Sequence, residues 1–137
     1  MPRSERNIRV EAVVLRHSDW GEADRLLVIY SREQGKLRAI AKGLRKIQSR
    51  KAGHLEPFTR AAIMLAKGHD LWIVTQAEAI DLFQPLRENL QKMGQAAYVV
   101  ELLDRFTYEE GQNWQLYQLL TETLTRLSTT EEDFVPV

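Results

Sequence analysis

The hydrophobic period of this chain changes once, and the change falls close to Pro85. Before it, apolar residues alternate with polar ones or gather in short runs; after it they recur every three or four residues. Alternation buries one face of a strand, and a three-to-four spacing buries one stripe of a helix. The chain is therefore expected to be α+β, with strands first and helices second. Residues 1-80 should form one unit and 81-137 another, with the boundary near Asp81 to Pro85.

Five segments of the first unit read as strands. "VEAVVLRHSDW" alternates from Val10 to Leu15 and is rich in β-branched residues, and "RLLVIYS" (Arg25 to Ser31) is a short apolar run. "EQG" then supplies a tight turn ending at Gly35. In "KLRAIAKG", Leu37, Ala39 and Ala41 fall on one face and Lys36, Arg38, Ile40 and Lys42 on the other. A fourth strand is expected from Phe58 to Ala66 and, after the turn "KGHD", a fifth from Leu71 to Ile80. Five short strands in about eighty residues suggest a small barrel or a sandwich.

The second unit reads as two helices. Leu86, Leu90, Met93, Ala97, Val100, Leu103 and Phe106 predict one amphipathic helix with Pro85 near its start and Gly111 after its end. Gly94 within it suggests a break or a close contact. Leu116, Leu119, Leu120, Leu124 and Leu127 form the stripe of a second helix, with Asn113 as its N-cap. Two helices cannot enclose a core between them, and exposed apolar surface costs roughly 25 cal/mol per Å². The stripe should therefore drive self-association through the helical part, or else fold back onto the barrel.

Charge is divided along the chain. Met1 to Ile80 carries 15 basic and 9 acidic residues, and Asp81 to Val137 carries 4 and 10, so a net charge of zero averages +6 and −6. Such asymmetry points to a polyanionic partner for the basic half. There is no Cys, which rules out a disulfide framework and a thiolate zinc site and suits a reducing compartment. The N-terminus lacks an apolar run of signal-peptide or membrane-span length, and a cytoplasmic protein with no membrane partner is expected.

The positive charge concentrates in "GKLRAIAKGLRKIQSRKAG", Gly35 to Gly53, which contains Lys36, Arg38, Lys42, Arg45, Lys46, Arg50 and Lys51 and no acid. A phosphate backbone needs several cations along one track, and each phosphate neutralised releases counterions. Arginine forks also stack on bases. A solvated loop is the plainer reading, but the absence of acids and the run from strand into loop favour a nucleic-acid track. Trp20, in the polar segment "HSDWGEADR", could stack a base or pack on the barrel rim. His17, His54 and His69 lack ligand spacing, so no metal is expected. No nucleophile, base or phosphate-cradling Gly loop emerges, so neither an enzyme nor a cofactor is expected.

Taken in order, "WGEADRLLVIYSREQGKLRAIAKGLRK", "LEPF" and "PLRENLQKMGQAAYVVELLDRF" resemble the RecO family of bacterial recombination mediators. The positions that carry the resemblance are Gly21-Glu22, Arg25, Gly35, Ala41-Lys42-Gly43, Leu55, Pro57-Phe58, Leu86, Tyr98 and Glu101-Leu102. The resemblance implies an N-terminal OB-fold followed by a helical domain, here partial. It implies a non-enzymatic DNA repair protein of the bacterial cytoplasm and nucleoid. Such proteins bind single- and double-stranded DNA, anneal complementary strands, and with RecR help load RecA onto DNA covered by single-strand-binding protein (SSB). They also bind the acidic tail of SSB, for which no residue is carried onto this chain.

The family's basic OB surface maps onto the same seven cations. Family members are usually much longer, and many carry a Cys-rich zinc-binding element in the later half; this chain, without Cys, reads as an N-terminal piece. The residues alone leave two other classes open. One is an OB-fold RNA-binding module, since readout of the 2′-hydroxyl is invisible in sequence. The other is an adaptor whose basic face meets an acidic protein.

Overall fold

The computed structural model describes residues 7–45, 49–109 and 111–129. Five strands, β1 (Asn7–Trp20), β2 (Asp24–Ser31), β3 (Gly35–Ala41), β4 (Arg60–Lys67) and β5 (Trp72–Asp81), close into a barrel in the order β1-β2-β3-β5-β4. Neighbours are antiparallel except β3 and β5, which pair in parallel over Ala39–Trp72 and Ile40–Ile73. This is the closed Greek-key barrel of an OB-fold. Closure rests on the length of β1. Ala12 and Val13 pair with β4 on one side and β2 on the other, and an irregularity between Val14 and Arg16 bends the strand from one neighbour to the next.

Strand limits differ from the sequence pattern by one to three residues at most ends, and two of these ends bear on the site. Trp20 ends β1, paired with Asp24, instead of lying in a polar turn. Phe58 stands before β4, because its φ of 73° is incompatible with extended backbone.

Alternation explains the barrel interior. Val10, Ala12, Val14, Leu27, Ile29, Leu37, Ala39, Ile63 and Leu65 point inward and are buried, with Leu55 beside them. The intervening residues of β1 and β2 are apolar as well: Val13, Leu15, Val28 and Tyr30 are buried in a second cluster under the helices. That is why "VVL" and "LLVIY" read as unbroken runs. Over these runs β1 and β2 are covered on both faces.

The predicted first helix is two. A short α1 (Gln84–Arg87) is followed by α2 (Leu90–Arg105), and the break falls at Glu88–Asn89. There the Asn89 side chain accepts from the Lys92 backbone N–H at 3.1 Å and caps α2. Gly94 marks neither a break nor a contact, since a Cβ there would meet nothing within 4 Å. The buried stripe is Leu86, Ala96, Val100 and Leu103, while Leu90, Ala97 and Phe106 are exposed. Restarting the helix at Asn89 rotates its apolar face away from the register that a single helix would keep.

Asn113 accepts from Leu116 N–H and opens α3 (Trp114–Thr129), as its position suggests. The Leu stripe of α3 folds back onto the barrel along most of its length. Tyr117, Leu120 and Leu124 are buried with Val13, Val28 and Tyr30, and Leu116 and Leu127 pack at the margin. Leu119 remains exposed. Among the described residues no helix is long and apolar enough to cross a membrane.

Two glycines predict opposite outcomes. Gly94→Ala fills open space on a helix and should raise stability by about 0.5–1 kcal/mol in urea unfolding. Gly35 has φ 73° and a Cβ there would lie 2.2 Å from the Gly111 carbonyl oxygen. Gly35→Ala should lower stability in the same assay, because backbone cannot yield as a side chain can.

Candidate nucleic-acid interface

The structure spreads six of the seven cations of the basic stretch over three environments; Lys46 lies outside the described residues. The first environment is the outer face of β3. Lys36 and Arg38 share it, as the alternation requires, but both turn toward acids from the helical part. Lys36 Nζ donates to Asp104 Oδ1 at 2.8 Å and to the Asp104 carbonyl at 2.7 Å, and Arg16 Nε donates to Asp104 Oδ2 at 2.7 Å. Arg38 pairs with Glu109, and a parallel bridge joins Lys36 to Glu109. Burial alone would push the Asp104 carboxyl up; hydrogen bonds from Lys36 and Arg16, and their charges, outweigh it and hold the carboxyl below its ordinary value. The Lys36 side chain is only 13% exposed. Its charge is spent on joining barrel to helices.

The second environment is one end of the barrel, where the turn after β3 is clasped to the β1–β2 turn. Gly43 N–H donates to Asp24 Oδ1 at 2.6 Å, and Arg45 N–H to the Ala23 carbonyl at 2.9 Å. The Arg45 guanidinium donates to the carbonyls of Asp24 and Gly21 and pairs with Asp19 at 3.2 Å. Arg45 thereby holds two turns together. Lys42 stands exposed beside this clasp, with no ion-pair or hydrogen-bond partner among the described residues. Trp20, 44% exposed, lies at the same end through its pairing with Asp24.

The third environment is the loop of residues 50–54, whose short 3-10 helix is Ala52–His54. Because β3 and β5 pair at only two positions, most of that edge of β5 lacks a strand partner. The loop supplies one. Lys51 Nζ donates to the Val74 carbonyl at 3.2 Å, and His54 Nδ1 accepts from Ala79 N–H at 2.9 Å. Arg50 is exposed, with no partner among the described residues.

The loop and the outer surface of β4 and β5 enclose a cleft of about 470 Å³, lined in part by Arg50, Lys51 and His54. Arg9 of β1 joins them there. Sequence reasoning missed Arg9: it lies far from the basic stretch, and only the pairing of β1 with β4 brings it in, opposite Met64. Alternation along β1 puts Arg9 on the outer face with Glu11 and Val13, but alternation cannot say which strand lies alongside.

The other histidines do not gather with acids into a metal site, and none is present among the described residues. His17 Nε2 lies 3.1 Å from Arg25, and His69 is exposed beside Asp70.

Comparison with known proteins bears on what these cations meet. Residues 5–83 match the family model described as "Recombination protein O N terminal", and residues 87–136 match "Recombination protein O C terminal". The DNA repair protein RecO of Roseiflexus sp. (strain RS-1) is 45% identical over 124 residues, which cover 90% of this chain and 44% of that protein. The DNA repair protein RecO of Pelotomaculum thermopropionicum is 42% identical over 120 residues, covering 88% and 47%. That of Dehalococcoides mccartyi is 36% identical over 126 residues, covering 92% and 50%. The chain spans about half the length of the curated relatives it matches.

The Asp104 junction makes a testable statement about acid stability. Its carboxyl has a lower pKa folded than unfolded, so its contribution is complete above the unfolded value of about 3.9 and is lost as pH falls through the folded value. Asp104→Asn should cost about 1–3 kcal/mol near neutral pH, because Lys36 is left half-satisfied in a nearly dry site. Urea midpoints measured from neutral pH down to about pH 3 should converge for parent and variant. Parallel curves would show that the pair carries no such linkage.

Proposed function

The chain belongs to the RecO family of DNA repair proteins, and from that premise we propose that its barrel binds DNA through the cations the helical part leaves open. One observation carries this reading. An OB-fold barrel presents a stretch free of acids in which Lys42 and Arg50 stand exposed without intramolecular partners among the described residues, and Lys51 beside Arg50 uses one N–H on a backbone carbonyl. Cations placed in this way exchange counterions for phosphates without first breaking an ion pair. Lys36, Arg38 and Arg45 contribute less, since each must give up an acid or a carbonyl first.

The full proposed activity is that of a mediator. The protein binds single and double strands, anneals complementary strands, and works with RecR to load RecA onto SSB-covered DNA. Contact with phosphates suits annealing, because it neutralises two mutually repelling backbones without occupying the edges that must pair. Trp20, exposed at the Lys42 end, offers a ring on which a base can stack. A DNA partner of this kind places the protein in the bacterial cytoplasm with the chromosome.

Anisotropy of a labelled single-stranded DNA, titrated at several salt concentrations, tests the reading. The double variant Lys42→Ala/Arg50→Ala should bind every sequence more weakly and lose about two from the slope of log affinity against log salt. Unchanged affinity and slope would return these cations to a solvated surface. A matched RNA bound more tightly than the DNA would favour an RNA-binding module, and no binding of either would favour a protein adaptor.

A further inference from the structure

We propose that the cleft between the loop of residues 50–54 and the outer surface of β4–β5 holds one unpaired nucleotide of the bound DNA strand. The phosphates flanking it lie at Arg9 on one side and Arg50 on the other, and its base rests on Ala62 and Met64. The inference rests on the DNA-binding reading above and says where the strand crosses the barrel.

Size and sign select this cleft. It has a volume of about 470 Å³ and is lined by three cations, Arg9, Arg50 and Lys51, against one acid, Glu78. Sites that enclose a small organic group run from roughly 300 to 1,000 Å³. The recess beside Lys36 and Arg38 has only about 40 Å³ and includes Asp70 and Glu109 in its lining. The helices α1 to α3 cover the outer faces of β1 and β2 at Val13, Leu15, Val28 and Tyr30, but no residue of these three helices lines the larger cleft. A strand following the open cations therefore passes over β4 and β5 and not over β2 and β3.

Register gives the cleft its internal order. Arg9 pairs with Met64 and Met64 with Gln76, so the three stand in one row across β1, β4 and β5. Glu11, Ala62 and Glu78 form the next row, with Glu11 taken up by Arg60, Arg32 and Tyr117. The floor is thus apolar and low where Ala62 and Met64 lie, and a flat base can replace water there. Arg9 stands on the β1 side of this floor, and Arg50 and Lys51 stand on the opposite side, on the loop that borders β5.

The wall opposite is held in place. Lys51 Nζ and His54 Nδ1 are both bonded to β5 backbone. Because Nδ1 accepts, the neutral imidazole carries its proton on Nε2, which is a donor on the cleft wall.

Methionine methyl resonances test the proposal directly. Met64 forms the floor, and Met93 on α2 packs in the helical core and serves as the internal reference. On titration with a single-stranded DNA of about sixteen nucleotides, the upper end of an OB site size, the Met64 methyl should shift and the Met93 methyl should not. Arg9→Ala, at an exposed position, should weaken binding about three- to tenfold and remove about one from the salt slope. Anisotropy that reports binding while Met64 stays unmoved at saturation would overturn the cleft and leave the DNA reading intact. No binding even at low salt would overturn both. RNA moving Met64 while DNA leaves it unmoved would overturn the assignment to DNA.

Discussion

The outer faces of β1 and β2 are apolar at Val13, Leu15, Val28 and Tyr30, and the arrangement of the rest of the molecule follows from covering these residues. An OB barrel needs only its inward residues to be hydrophobic. Here Val13, Leu15, Val28 and Tyr30, which point outward, are all but fully buried. Each large side chain of this kind gains about 1.5–3 kcal/mol when taken out of water. The cover is the helical part, whose Val100, Leu103, Tyr117, Leu120 and Leu124 complete the same cluster. Barrel and helices are thereby one packed body, and the junction is sealed by polar bonds at its rim. Tyr117 donates to Glu11 Oε2 at 2.8 Å, and burial, with that bond and the Glu11 charge, pushes its phenol up. Arg87 donates to the Pro57 carbonyl and to Thr59 Oγ1.

Seating the helices there decides the electrostatics. The opposite charges of the two halves are met in part within the chain, because Asp104 and Glu109 come from the acidic half and pair with Lys36 and Arg38 of the basic half. Charge asymmetry read along the sequence therefore overstates what an external polyanion encounters. Among the described residues of the basic half, Lys42, Arg50, Arg9 and Lys67 remain without such partners, with Lys51 tethered near Arg50. These lie where no helix reaches, so the packing that satisfies the hydrophobic surface also determines which face of the barrel stays positive.

The same covering explains why the segment after Pro85 forms two helices and not one. A single amphipathic helix from Pro85 would point Leu90, Ala97 and Phe106 at the barrel. The chain instead stops at Arg87 and restarts with an Asn89 cap, and α2 presents Ala96, Val100 and Leu103. The signal was present in "REN", since Asn before a run of helix formers is a good N-cap. Periodicity alone could not weigh it, because two stripes in this segment are nearly equally apolar. The unused stripe, Tyr98, Leu102 and Phe106, lies on the outer side of α2 at successive four-residue steps.

By itself the sequence determined the division into strands and helices, the two faces of β3, the cap at Asn113 and the acid-free cluster of cations. All of these depend on neighbours within a few residues, where period, turn chemistry and charge are written directly. The ordered set of short motifs also pointed to the family. Tertiary structure decided the rest: that five strands close instead of stacking, that the α3 stripe folds onto β1 and β2, that Lys36, Arg38 and Arg45 are engaged, and that Arg9 meets Arg50 across a cleft. Each of these joins residues far apart in the chain. Which long-range pairing forms depends on the whole surface to be buried, and no local pattern records that sum.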